Sequence, residues 1–144
     1  VYTIRVTNAN NCIATTTASV TVNANPTASA TGATVCVGTS LGISASGGTS
    51  YLWTGPNGFS STIQNPTVSA SANSAMAGVY TIRVTNANNC TATTTASVTV
   101  NPNPTASASG STICEGTSLS ISASGGISYL WTGPNGFSST IQNP

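Results

Sequence analysis

Apolar and polar residues alternate along this chain in short runs, broken by Gly, Pro, Asn and Ser at intervals of about 8 to 12 residues. That is the period-two signature of antiparallel strands, and no stretch carries the 3.6-residue period of an amphipathic helix. From Pro26 the pattern predicts a split first strand over 27–32 and 33–37, then a second over 40–45 with Leu41 and Ile43 on one face. The third covers 50–54, where Leu52 alternates with Tyr51 and Trp53. Gly55, Pro56, Asn57 and Gly58 then supply a tight turn, and 59–63 returns. Residues 67–72 put Val68, Ala70 and Ala72 inward. Residues 79–85 and 91–100 form a hairpin around 87–89, and 101–104 is a linker. The sum is an all-β antiparallel sandwich.

The same pattern occurs almost twice. Residues 1–66 align without a gap onto residues 79–144, a period of 79 − 1 = 78 residues, and eight of the 66 aligned positions differ. The differences gather in the first strand and its flanks, and none falls in the turn 55–59. Duplication of one unit explains this, and the array is expected to continue in both directions. The expected division is therefore 1–23 as the last two strands of a preceding repeat, 26–101 as a complete repeat, and 104–144 as the first strands of a following one.

Composition narrows the function classes. Charged residues make up 2% of the chain, against about 25% in an ordinary soluble domain, and they are Arg5, Arg83 and Glu115. Two arginines provide no basic patch for nucleic acid or anionic lipid. With no His, Lys or Asp, there is no base beside a nucleophile and no carboxylate pair, so no catalytic residue is expected. Calcium needs several carboxylates, which rules against a metal site, and Lys-dependent isopeptide crosslinks are ruled out; no cofactor is expected. The many Val, Ile and Thr residues, with regularly placed Trp and Tyr, argue against disorder. No run of 18 apolar residues is present, so no membrane insertion is expected of these residues, and any export signal or anchor is expected outside them. A neutral Ser, Thr and Asn surface lacks the charge repulsion that keeps proteins apart, and it tolerates close lateral packing.

Particular residues resemble the immunoglobulin superfamily: Leu41-x-Ile43 on the second strand, Trp53 on the third, and Met76-Ala77-Gly78-Val79-Tyr80-x-Ile82 where that family has D-x-G-x-Y-x-C. The resemblance implies that Tyr80 is the tyrosine-corner residue. It also implies that Ile43 and Ile82 stand where the inter-sheet cysteines usually are, so an aliphatic pair fills the core beside Trp53. More closely, Cys36-x-Gly38, the run from Tyr51 to Phe59 and the run from Ala77 to Cys90 resemble the Ig-like and PKD-like tandem repeats of large secreted Bacteroidota cell-surface adhesins. That family implies export to the cell surface and a role in adhesion, gliding or surface-layer construction carried by many copies.

Cys12, Cys36, Cys90 and Cys114 fall two to a repeat, without His or C-x-x-C, so structural disulfides are expected in an exported chain. In an Ig-like topology the second and sixth strands run the same way. Cys36 lies seven residues before Ile43 and Cys90 eight after Ile82, which puts them on the order of 40 Å apart at about 3.3 Å per residue. One pairing therefore joins a Cys36-type residue to the hairpin-tip cysteine of an adjoining copy. The other, Cys36 to Cys90 within one repeat, holds if the strand order departs from the Ig pattern near the first strand.

Trp53 and Trp131 are read as core residues, with sugar stacking as the rival, and Tyr51 and Tyr129 as sharing the Trp face. Arg5 and Arg83 fall on the face opposite Ile4 and Ile82, towards solvent or against a neighbouring chain, with solvation the default reading. Asn89-Cys90-Thr91 formally matches an N-glycosylation acceptor, a weak match, and the abundant Thr and Ser suit O-linked sugar at least as well. The functional expectation is a structural repeat of an extracellular filament or adhesin, its partners being neighbouring copies of the same repeat. The rival is a glycan-binding or surface-binding module acting by multivalency.

Overall fold

The computed structural model describes all 144 residues, in two compact units, Val1–Val100 and Asn101–Pro144. The chain is all-β. In the first unit, strands β1 (Tyr2–Thr7) and β2 (Ile13–Ala18) form a hairpin. A sandwich-like pair of layers follows. It is built from β3 (Ser29–Thr31), β4 (Ala33–Cys36), β5 (Leu41–Gly42), β6 (Ser44–Ser46), β7 (Ser50–Thr54), β8 (Ser60–Ser61), β9 (Thr67–Ser69), β10 (Gly78–Thr85) and β11 (Thr91–Asn101). One layer is a five-stranded sheet in the order β4-β11-β10-β7-β8, and the other consists of the ladders β3-β6 and β5-β9. The first strand thus divides between the layers: β3 joins one and β4 the other.

Alternation explains which face is buried. Along β10 every second residue turns inward, so Tyr80, Ile82 and Val84 are buried while Thr81 and Arg83 are exposed. On β11 the inward set is Ala96, Val98 and Val100. Leu41, Ile43, Ala45 and Trp53 meet them, and Val68, Phe59, Met76 and Tyr51 pack around the edge. No polar side chain is buried. The core is small, as expected of a repeat of 78 residues, and its large apolar side chains are few.

Several sequence expectations are refined. The second strand, expected over 40–45, breaks at Ile43, whose amide donates to Pro66 O at 3.2 Å. The returning strand expected over 59–63 shrinks to Ser60–Ser61. Ala70 is exposed where it was expected inward. The strand ends at Ser69, whose Oγ accepts from Ser71 N at 3.1 Å and bends the chain outward. The turn after β7 is a 3-10 turn, Pro56–Gly58, with Asn57 and Gly58 in left-handed conformations. Gly55 is required for packing, because a Cβ there would run into the ring of Tyr80.

The second unit carries the sequence of 26–66 with few changes but forms less structure. It has β12 (Ser107–Ser109), β13 (Ser122–Ser124), β14 (Trp131–Thr132) and β15 (Ser138–Ser139), paired β12-β13 and β14-β15. The counterparts of β4 and β5 are not strands here, and the counterpart of β7 shortens to two residues. Each of these elements pairs, in the complete sandwich, with β11, β9 or β10. The second unit does not contain those partners, so the backbone groups of these segments have no ladder to join.

The contrast between copies makes a measurable difference. Ile82→Ala should cost the sandwich about 2–5 kcal/mol through lost burial and a residual cavity. Ile4→Ala, the same residue one period earlier, should change it by less than about 0.5 kcal/mol in dilute monomer. Urea denaturation followed by Trp53 fluorescence in a Trp131→Phe background reads both.

Candidate functional site

Charge and catalytic chemistry being so sparse, the groups able to act on another molecule are the thiols, the two ends of the sandwich and the turn-borne amides. The β10–β11 hairpin tip is built by local sequence. Asn86 N donates to Cys90 O and Asn89 N to Asn86 O, both at 3.0 Å, while Asn86 Oδ1 accepts from Asn88 N and Cys90 N at 3.0 Å. Asn89 takes a left-handed φ of 59°, which asparagine tolerates better than most residues. The β1–β2 tip repeats this arrangement through Asn8, Asn11 and Cys12.

From that tip the Asn86 amide reaches the preceding linker, Nδ2 donating to Ala24 O at 2.9 Å. The Cys90 thiol lies 3.7 Å from Asn23 O. Cys90 therefore sits where the chain enters the sandwich, and it is half-buried. Cys36 lies at the other end. It closes β4, and its carbonyl accepts from both Thr39 N, at 3.2 Å, and Thr39 Oγ1, at 2.8 Å. The turn that follows is tied to the segment leading into β10, with Gly38 N donating to Ala72 O and Ala72 N to Thr39 O, each at 2.8 Å. Strand β10 has eight residues between that end and the hairpin tip, about 23 Å at strand rise. A disulfide tolerates a Cα separation of about 4.4–6.8 Å, so Cys36 and Cys90 of one sandwich do not meet. All four cysteines are free thiols; Cys12, Cys36 and Cys114 are exposed.

The four core candidates lie together. Ile43, Trp53, Tyr80 and Ile82 belong to one buried cluster, and Ile82 stands directly across from Trp53 in the β10–β7 register. Trp53 is wholly buried, with its Nε1 donating to Gln64 O at 3.1 Å. Its ring is thereby withdrawn from any sugar, whereas Trp131 in the second unit is half-buried. Tyr51 is half-buried and donates through its hydroxyl to Gly48 O at 2.9 Å. The Tyr80 hydroxyl donates to Met76 O at 2.9 Å, and its ring meets Phe59 edge to face at 5.4 Å.

The pattern of alternation gave no hint of Gln64 and Asn65. Gln64 Nε2 donates to Ala45 O at 2.8 Å, and Asn65 Oδ1 accepts from Ala45 N at 3.2 Å. These two side chains thus serve both backbone groups of a residue at the strand edge. Their one signal in the sequence is that they recur as Gln142 and Asn143, which bind Ala123 in the same way.

No family model matches the chain, and no curated protein matches it. No helix is long and apolar enough to cross a membrane.

Burial pushes the Tyr80 phenol above its ordinary value of 10.0. In the unfolded chain the phenol gives up its proton near pH 10, so above about that pH the unfolded state holds fewer protons than the folded one. The contribution to stability is complete below about pH 10 and is lost as pH rises through the higher folded value. Urea midpoints measured against pH should fall on the alkaline side, and Tyr80→Phe should flatten that fall. The same variant should lose about 1 kcal/mol at neutral pH with the Met76 hydrogen bond.

Proposed function

We propose that this chain is a structural repeat of an extracellular polymer, made of immunoglobulin-like sandwiches arranged end to end and stapled by disulfides between adjoining copies. The observation that carries the reading is the position of the Cys90 thiol beside the linker carbonyl of Asn23, with the repeat's other cysteine at the far end of the sandwich. A Cys36-type residue closes one end and a hairpin-tip cysteine, Cys12 or Cys90, opens the other, so a head-to-tail contact brings one of each together. Thiols so arranged are useful only where they oxidise, which accords with an exported chain.

The Ig-like reading is supported by the division of the first strand between layers, by the Tyr80 hydroxyl returning to the backbone four residues upstream, and by the Ile43, Ile82 and Trp53 cluster. The tyrosine corner and the aliphatic pair beside Trp53 are what the resemblance to the immunoglobulin superfamily implies. Near-neutrality suits a packed polymer, since neighbouring copies bring almost no like charge together. No particular contact favours the glycan-binding reading, and Trp53 lies in the core.

Oxidation of the purified chain should give a ladder of disulfide-linked multimers on a non-reducing gel. Peptide mapping should find Cys36 or Cys114 joined to Cys12 or Cys90. The double variant Cys36→Ser, Cys114→Ser should remove these bonds. Electron cryo-microscopy of native surface material should show an axial repeat of one or two sandwich lengths, about 35–45 Å each. Isolated flexible beads, or bonds only between like cysteines, would overturn the stapled polymer.

A further inference from the structure

We infer that the β10–β11 hairpin tip is a clamp for the chain arriving from the preceding copy: Asn86 and Cys90 hold the backbone of Asn23 and Ala24, so that adjoining copies meet at a stiff joint with no free linker between them. The inference deepens the proposed function and rests on its reading of the chain as copies arranged end to end.

Asn86 serves two sides at once. An asparagine side chain has an acceptor oxygen and two N–H donors. The oxygen works inside the tip, where Oδ1 accepts from Asn88 N and Cys90 N, both at 3.0 Å. That leaves Nδ2, which donates to Ala24 O at 2.9 Å, a residue 62 positions away along the chain. Beside it the Cys90 thiol lies 3.7 Å from Asn23 O. Two consecutive carbonyls of the arriving chain are thus held by two residues of one turn. Neither contact uses a linker side chain, so the clamp is indifferent to linker sequence. The difference Ala24/Pro102 between copies fits this, because proline lacks the N–H but keeps the carbonyl.

A second hold lies further along, at Thr27. Gly47, at φ 106°, faces the Thr27 carbonyl so closely that a Cβ would strike it. Gly125 meets the Thr105 carbonyl in the same way, so the close approach belongs to the repeat and not to one copy. From Ser29 onward the chain is in the β3–β6 ladder. The arriving chain is therefore fixed to this sandwich at Asn23, Ala24 and Thr27, before its first strand begins.

The period shows what is left to act as a hinge. Strand β11 runs from Thr91 to Asn101, and 101 − 78 = 23, so Asn101 is the counterpart of Asn23. The residue that ends the last strand of a complete copy is the residue whose carbonyl the next tip holds. A flexible joint needs residues that belong to neither neighbour, and none remains at this junction. Each contact is modest by itself, but bending the joint has to break them together. The clamp also keeps the Cys90 thiol at the end of the preceding copy, where the proposed staple needs it.

The test is nitrogen-15 relaxation by NMR on the full 144-residue chain in reductant. The amides of Asn23, Ala24, Asn25 and Thr27 should have order parameters near the rigid value of about 0.85. Asn86→Asp keeps an acceptor for the tip but turns a carboxylate towards the Ala24 carbonyl. It should lower the order parameters of residues 23–25 below about 0.6, while the amides of Asn88 and Cys90 stay protected from exchange. Acidification well below the ordinary carboxyl pKa of about 3.9 gives the new side chain an O–H donor and should restore the order, a recovery that general damage to the tip would not show. Asn8→Asp, the same change in the β1–β2 tip, should leave residues 23–27 unaltered. The clamp is overturned by a wild-type linker already below about 0.6, by order that survives Asn86→Asp, or by a loss that acid does not reverse. An ordered linker in a chain that forms no disulfide ladder on oxidation would support the clamp and overturn the staple. A ladder formed by a chain with a mobile linker would overturn the clamp and leave the proposed function standing.

Discussion

The structure depends on one contact: the inward face of β10, Tyr80, Ile82 and Val84, against Leu41, Ile43 and Trp53. The chain has no buried polar side chain and almost no charge with which to hold the layers together, so apolar burial is the main stabilising term. Each fully buried large side chain contributes about 1.5–3 kcal/mol, and this core has few of them. The hydrogen bonds around it position the surfaces that make this contact. Trp53 is held by the Gln64 carbonyl, Tyr80 by the Met76 carbonyl, and the edge at Ala45 by Gln64 and Asn65.

The chain itself contains the comparison that shows this dependence. The counterparts of Tyr80, Ile82 and Val84 form a hairpin with exposed apolar faces, and the counterparts of Leu41, Ile43 and Trp53 form a half-sandwich with open grooves. Nearly identical sequence is present in both settings. What differs is whether the partner strand stands beside it.

Cysteine placement follows from the same geometry. Ile43 and Ile82 lie in the core between the layers, and the thiols stand at the two ends of the sandwich. A bond in the core would brace one domain; a bond at a junction would carry load between domains. The chain has no Lys for isopeptide links and a single carboxylate side chain, Glu115, too few for calcium.

Local sequence by itself determined the elements whose hydrogen bonds close over a few residues. The N-A-N-N-C hairpin tips, the Cys-x-Gly-Thr turns and the Pro56–Gly58 turn with its copy at Pro134–Gly136 are the same in both settings. Alternation put Leu41 and Ile43 on one face and set Ile82 opposite Arg83, because a strand has only two faces, while the places of Trp53 and Tyr80 came from the resemblance to the immunoglobulin superfamily. Tertiary structure decided the rest. Residues 33–36, 41–42 and 50–54 are strands, whereas 111–114 and 119–120 are not and 128–132 is one only at Trp131–Thr132. The break at Ile43, the outward Ala70 and the backbone duty of Gln64 and Asn65 likewise appear only once the layers meet. The physical reason is that a strand's backbone groups are satisfied by a neighbour distant in sequence. A segment can therefore encode its side-chain faces without encoding whether its ladder will form.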